Sequence, residues 1–188
     1  MAIIPDTKNW TWVLERRCPD CGLDASTLDP RSVVGLLRTN AAEWVEVLQT
    51  PHVRVRPDES TWSPLEYGCH VRDVFVLFRE RLMCMLTEHS PVFANWDQDA
   101  TATESAYNEQ DPLVVSAELL AAAQALADAF ETVQGDQWSR TGERSDGASF
   151  TVETFARYLI HDPVHHLWDV RSSAHELRHQ PYNLSPRP

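Results

Sequence analysis

The stretch TWSPLEYGCHVRDVFVLFRERLMCML, residues 61–86, carries a complete helix start. Ser63 reads as the N-cap, Pro64 as the first helical residue, and Glu66 closes a capping box with Ser63. Trp62 and Tyr67 stand at the two positions of a hydrophobic staple. The spacing predicts a helix over about 64–88 with His70 in its second turn.

The same grammar recurs on both sides. In TLDPRSVVGLLRTNAAEWVEVLQ, residues 27–49, Asp29 caps, Pro30 opens, and Leu28 and Val33 can staple. Val33, Leu37, Ala41, Trp44 and Leu48 recur at intervals of three and four, one buried stripe of a helix over about 30–49. Asp111-Pro112 opens a third helix with Leu119, Ala123, Leu126, Phe130 and Val133 along one face, and Gly135 marks its end. The fourth lies in SFTVETFARYLIHDPVHHLWDVRSSAHEL, residues 149–177, with Thr151 as cap and Phe150 facing Phe155. No period-two pattern competes over a comparable length, so the expected fold is an all-α four-helix bundle. Two long connections, about 89–110 and 135–149, are candidates for functional loops, and Ser145-Asp146-Gly147 in the second reads as a tight turn.

Bulk properties narrow the classes. The 188 residues suit one domain, and the formal net charge of −12 argues against a nucleic-acid partner. No apolar run is expected to reach the ~18–20 residues that cross a bilayer, and the first residues do not read as a secretory signal. Four cysteines then suggest reduced thiols in a cytoplasmic protein.

The fourth helix holds His161, His165 and His166, with Pro163 among them. His161 and His165 are four apart and share a face; His166 is rotated about 140° from His161. Two imidazoles at that spacing can chelate a first-row divalent metal, and His70 is the leading third ligand, being the sole histidine inside the first three helices (His89 falls at an end). Asp169 continues the face and would orient His165 from outside the coordination sphere. Histidines hydrogen-bonded in the core or at the surface are the plainer alternative. Pro163 should kink or bulge the helix by removing the hydrogen bond to the Leu159 carbonyl.

The W-S-P-x-E-x-x-x-H start of the second helix and the H-D-x-x-H of the fourth resemble the DinB-like superfamily (the DinB/YfiT group, related to mycothiol-dependent maleylpyruvate isomerase). The likeness covers about residues 28–175, leaving 1–27 as an N-terminal extension and 176–188 as a tail. It implies an up-down-down-up bundle and a divalent metal on His70, His161 and His165; zinc or nickel suits so imidazole-rich a set. It also implies thiol chemistry, a metal-dependent S-transferase or isomerase joining a low-molecular-weight thiol to a small electrophile. Trp96 and Trp138 would wall the pocket, and Arg140 or Arg144 could hold a substrate carboxylate, although charge pairing is the stronger reading of those arginines. A non-catalytic metal- or ligand-binding stress protein, or a metal-free helical interaction domain, sometimes a homodimer, remains the alternative.

The likeness does not reach RRCPDCGLDAS, residues 16–26. Cys18 and Cys21 form a lone CxxC, half of a zinc site that lacks a second CxxC; His52, His175 or His179 could complete it. The expectation is that this pair stays out of the main metal site, as a reduced turn or at most a second, structural zinc site. Cys69, rotated from His70, should pack.

Overall fold

The computed structural model describes Ile3 and residues 9–179, with side chains up to Ser173. Four long helices build the bundle: α1 (Val33–Leu48), α2 (Pro64–Thr87), α4 (Pro112–Glu131) and α5 (Val152–His179). A short α3 (Gln98–Glu104) lies in the connection from α2 to α4. Helices α4 and α5 each pack between α1 and α2, so the bundle is the expected four-helix type with up-down-down-up order. The long connection from α2 to α4 is what a crossover between like-directed helices requires.

The caps form where the residue types place them. Ser63 and Glu66 make both bonds of the capping box, and the Trp62 and Tyr67 rings meet edge-on with centroids 5.5 Å apart. Asp29 accepts from the Arg31 amide at 3.0 Å, and Asp111 from the Leu113 amide at 2.8 Å. Thr151 Oγ1 accepts from the Thr154 amide at 3.1 Å, and the Phe150 ring lies edge-on to Phe155 at 6.0 Å. Two boundaries differ. Pro30–Ser32 is a 3-10 turn ahead of α1, and α4 stops at Glu131, Gly135 with its φ of +50° opening a separate 3-10 turn.

Two expectations are corrected. A three-stranded sheet exists, in the order β1 (Val92–Phe93), β2 (Thr141–Arg144), β3 (Ser149–Thr151). Strands of two to four residues are too short for alternation to register. β1 runs parallel to β2, and β2 antiparallel to β3, joined through the anticipated turn at 145–147, where Gly147 has φ +92°. Second, α4 is long and apolar enough by length and composition to cross a membrane, with a mean hydropathy of 1.5. The sequence therefore does contain such a run; Val115, Leu119, Ala123, Leu126 and Phe130 of it pack into the core against α1 and α2, while Leu113, Val114 and Leu120 are exposed. α5 remains helical through Pro163. The Pro163 carbonyl receives Asn40 Nδ2 at 3.1 Å and Trp44 Nε1 at 3.4 Å, both from α1.

The N-terminal segment lies on the bundle. A 3-10 turn at Trp10–Leu14 packs against α5, and buried Val13, Cys18 and Ala25 face inward behind it.

Candidate metal centre

α5 places His161, Asp162, His165 and His166 within one and a half turns. Asp162 sits one residue after His161, and His166 one after His165, so two pairs of possible ligands share the i, i+4 spacing with an offset of about 100°. The structure sends these pairs to different partners. His70, Asp162 and His166 bring one ligand atom each within 4.8 Å of one another. Cys18, Cys21, His161 and His165 form a second group by the same measure. The expected set of His70, His161 and His165 thus divides: His70 does not form such a group with the other two among the described residues.

His70 is 1% exposed. Its ring lies flat on Trp96 (centroids 5.3 Å, planes 9° apart) and touches Trp62 at 5.3 Å and His166 edge-on at 4.9 Å. Nε2 is 3.5 Å from Asp162 Oδ1, and Asp162 Oδ2 is 3.8 Å from His166 Nε2. On its far side, His166 Nδ1 is 3.1 Å from Asp169 Oδ2. Both ring nitrogens of His70 and Asp162 Oδ1 are buried without a hydrogen-bond partner. Leaving a buried polar group unsatisfied costs about 1–3 kcal/mol, and a cation bound to one His70 nitrogen and to Asp162 Oδ1 would remove that cost for those two atoms. Burial works to raise the Asp162 carboxyl, but the neighbouring His166 and His70 outweigh it and hold it at about 2. Asp162 is therefore an anion at neutral pH, and two imidazoles with one carboxylate suit a divalent first-row ion.

Asp169 lies between the two groups. Its Oδ1 is 3.7 Å from His165 Nε2, so it is beside His165 as expected, yet its shorter contact is to His166. Burial, with His165 next, pushes His161 down to about 4, and burial also lowers His165. Burial lifts the Cys21 thiol to about 11. Cys69 packs in the core and joins neither group, its Sγ 3.7 Å from the Tyr107 carbonyl, and burial pushes its thiol up to about 12. His175 and His179 fall outside the described side chains.

Both groups border one cleft of about 660 Å³. Trp10, Trp62 and Trp96 wall it, and Arg81, Arg144 and Tyr158 line another part. Arg144 Nη1 donates to Tyr158 Oη at 3.0 Å and its Nε to Asp146 at 2.9 Å, and this acidic neighbour raises its pKa. Of the residues expected at a substrate, Arg144 and Trp96 line the cleft, whereas Arg140 and Trp138 do not. Arg140 instead donates to the Met85 and Glu88 carbonyls at the end of α2. Trp138 is buried against Phe130, with the Arg31 guanidinium over its ring. Asp162 and His166 are candidate ligands that the sequence analysis did not single out, and their own i, i+4 spacing was the available signal.

A family model described as the DinB superfamily matches residues 35–170. The chain belongs to the DinB superfamily. The matched span contains His70, Asp162 and His166 but not Cys18 and Cys21, so the second group combines residues inside and outside the DinB region. Among solved structures, this DinB chain is similar to YfiT from Bacillus subtilis, described as a probable metal-dependent hydrolase with an unusual four-helix bundle topology. The TM-score is 0.65 at 18% identity, over 94% of each chain. At that identity the likeness establishes the fold. No curated protein matches the chain.

Proposed function

We propose that the protein is a metal-dependent enzyme whose divalent ion is held by His70, Asp162 and His166 and whose nucleophile is a low-molecular-weight thiol. The observation that carries this reading is the mixed imidazole–carboxylate group, with buried unpaired ligand atoms, opening on a cleft large enough for two small reactants. A bound zinc or nickel ion would supply a Lewis acid that favours the anionic form of the nucleophile.

The chain's own residues do the rest. Asp162 fixes a negative charge beside His70 and His166, and Asp169 holds the His166 ring through Nδ1. Trp62 and Trp96 clamp His70 and shield that side of the group from water. Arg144, kept in place by Asp146 and Tyr158, offers a cation to a carboxylate on either reactant. With a net charge of −12, the protein gives an anionic thiol no long-range attraction, so this local cation must orient it.

A specific observation also supports hydrolysis. Two imidazoles with a carboxylate are a donor set used by hydrolytic zinc sites, and YfiT is described as a probable metal-dependent hydrolase. One experiment separates the two. Metal-loaded and metal-stripped protein, and His166→Ala, are assayed for consumption of a panel of low-molecular-weight thiols with monochlorobimane, and in parallel for hydrolysis of a panel of activated esters and amides. Thiol consumption that needs metal and His166 supports the transferase. Ester or amide cleavage with that dependence replaces it by a hydrolase, and neither activity overturns an enzymatic role.

A further inference from the structure

The thiol pair of the N-terminal segment and the His161–His165 pair are not used by the function proposed above. We propose that Cys18, Cys21, His161 and His165 bind a second metal, a structural zinc ion in a closed Cys2His2 site that staples the N-terminal segment to α5. Two donors come from a turn and two from one face of a helix about 140 residues later, with all four ligand atoms mutually within 4.8 Å. A tetrahedral zinc with bonds of about 2.3 Å to sulfur and 2.0–2.1 Å to nitrogen requires sulfur and nitrogen to stand ~3.6 Å apart. Cys18 Sγ and His165 Nδ1 are 3.6 Å apart.

The turn is shaped to point both thiols one way. The Cys18 amide donates to the Leu23 carbonyl at 2.9 Å and the Gly22 amide to the Cys18 carbonyl at 3.1 Å, closing Cys18-Pro19-Asp20-Cys21 into a knuckle. Gly22 adopts φ +76°, a left-handed conformation that glycine takes without strain. Arg17 Nε donates to the Gly22 carbonyl at 2.7 Å and fixes the exit of the turn.

Three of the four donors are buried, and the fourth, Cys21, is half-buried. Cys18 is 1%, His161 4% and His165 8% exposed. Trp10 covers both imidazoles, with centroids 5.3 Å from His161 and 5.0 Å from His165, and Trp12 flanks His161 at 6.3 Å. His161 Nε2 is buried with no hydrogen-bond partner, a polar atom that a bound ion could satisfy. Four protein donors fill a tetrahedral shell, which is the arrangement of structural rather than catalytic zinc, and thiolates select zinc over harder ions. The two thiolates also neutralise the ion, so the site adds no net charge to a buried place. Because Trp10 lines the cleft as well, the zinc would fix one wall of the substrate pocket.

The test uses the full-length, untagged chain, kept reduced, loaded with zinc or cobalt(II) and freed of excess metal. Two equivalents of metal should remain, and the cobalt form should show sulfur-to-cobalt charge transfer in the near ultraviolet with tetrahedral visible bands. In the zinc form, alkylation mapped by mass spectrometry should spare Cys18 and Cys21 until a strong chelator is added. Cys18→Ser/Cys21→Ser should lose one equivalent and the charge-transfer band while keeping the metal that depends on His70. His70→Ala should do the reverse, so a failure of the cleft metal and a failure of this site are told apart. If the double serine variant does not fold, alkylation of the wild type decides. Equal alkylation of Cys18 and Cys21 with and without chelator, or a cobalt spectrum without sulfur charge transfer, overturns the proposal.

Discussion

Replacing Arg56 with alanine should destabilise the protein by about 1–2 kcal/mol at neutral pH, with the loss fading in acid. Glu66, in the first turn of α2, is nearly buried (side chain 5% exposed), while Arg56 is about one-third exposed (34%). The pair is bidentate: Arg56 Nε donates to Oε2 at 2.9 Å and Nη2 donates to Oε1. The Ser63 amide gives Oε2 a second donor at 2.8 Å. Breaking a fully buried pair costs about 3–5 kcal/mol, whereas an exposed pair contributes about 0–1 kcal/mol. Here the carboxylate keeps one backbone donor and the arginine is partly hydrated, which places the cost between those limits. For a chain of this size each kcal/mol shifts Tm by roughly 2–4 °C, so a fall of about 2–8 °C is expected. Burial alone would raise the Glu66 pKa, but the bond to Arg56 and those to Ser63 bring it below the ordinary carboxylate value. A depressed folded-state pKa contributes stability above the unfolded pKa of about 4.3 and loses it as pH falls through the folded value. Urea unfolding of wild type and Arg56→Ala at pH 7 and at a series of pH values below 4.5 should therefore show the two curves converging in acid. An unchanged Tm at pH 7, or a difference that persists in acid, would refute the reasoning.

Gly142→Ala should cost about 1–3 kcal/mol by overpacking, because its Cβ would lie 2.7 Å from Phe93 Cζ and 2.9 Å from Met85 Cγ; urea denaturation measures it. Arg144→Ala should raise KM for a carboxylate-bearing reactant by about 10- to 100-fold, the worth of one charged hydrogen bond. Arg140→Ala should lower Tm and leave KM unchanged, since its guanidinium is spent on the Met85 and Glu88 carbonyls. Asn40→Leu should change stability by less than about 1 kcal/mol by calorimetry, because it deletes the donor to Pro163 together with Oδ1, which is buried without a partner. Trp44 still serves the carbonyl in that variant.

What was legible in the sequence was local. A capping box needs residues three apart, and Ser63 with Glu66 meets that condition whatever the rest of the chain does. The buried stripe of α1, from Val33 to Leu48, follows from period alone. The sheet was not legible because the β1–β2 pairs, such as Val92 with Glu143, join residues about fifty apart, and the locally paired β2 and β3 are too short to alternate. The histidines grouped with the cysteine pair were not legible as its complement for the same reason: they lie in another element, where the resemblance joined them with His70. Arg140 and Trp138 looked available to a substrate because sequence shows charge and size but not which carbonyl or ring a side chain meets.

The least legible quantity was the rotation of α5 about its own axis, and the two candidate sites depend on it. The histidine spacing shows that His161 pairs with His165, and equally that Asp162 pairs with His166, but not which pair turns toward α2. Successive helical residues point ~100° apart, so three consecutive positions can address three neighbours. His161 faces the N-terminal knuckle, Asp162 faces His70 on α2, and Pro163 presents its carbonyl to Asn40 and Trp44 on α1. Pro163 cannot donate an amide hydrogen within the helix, and the two donors from α1 grip its carbonyl. Those bonds form at the point where the two i, i+4 pairs begin. A rotation of one residue step would carry His161 and His165 to α2 and restore the three-histidine arrangement that the resemblance implies, but it would also withdraw the Pro163 carbonyl from both of its donors. The observed packing of α1 on α5 goes with the grouping of His70, Asp162 and His166, and places His161 and His165 beside the cysteines.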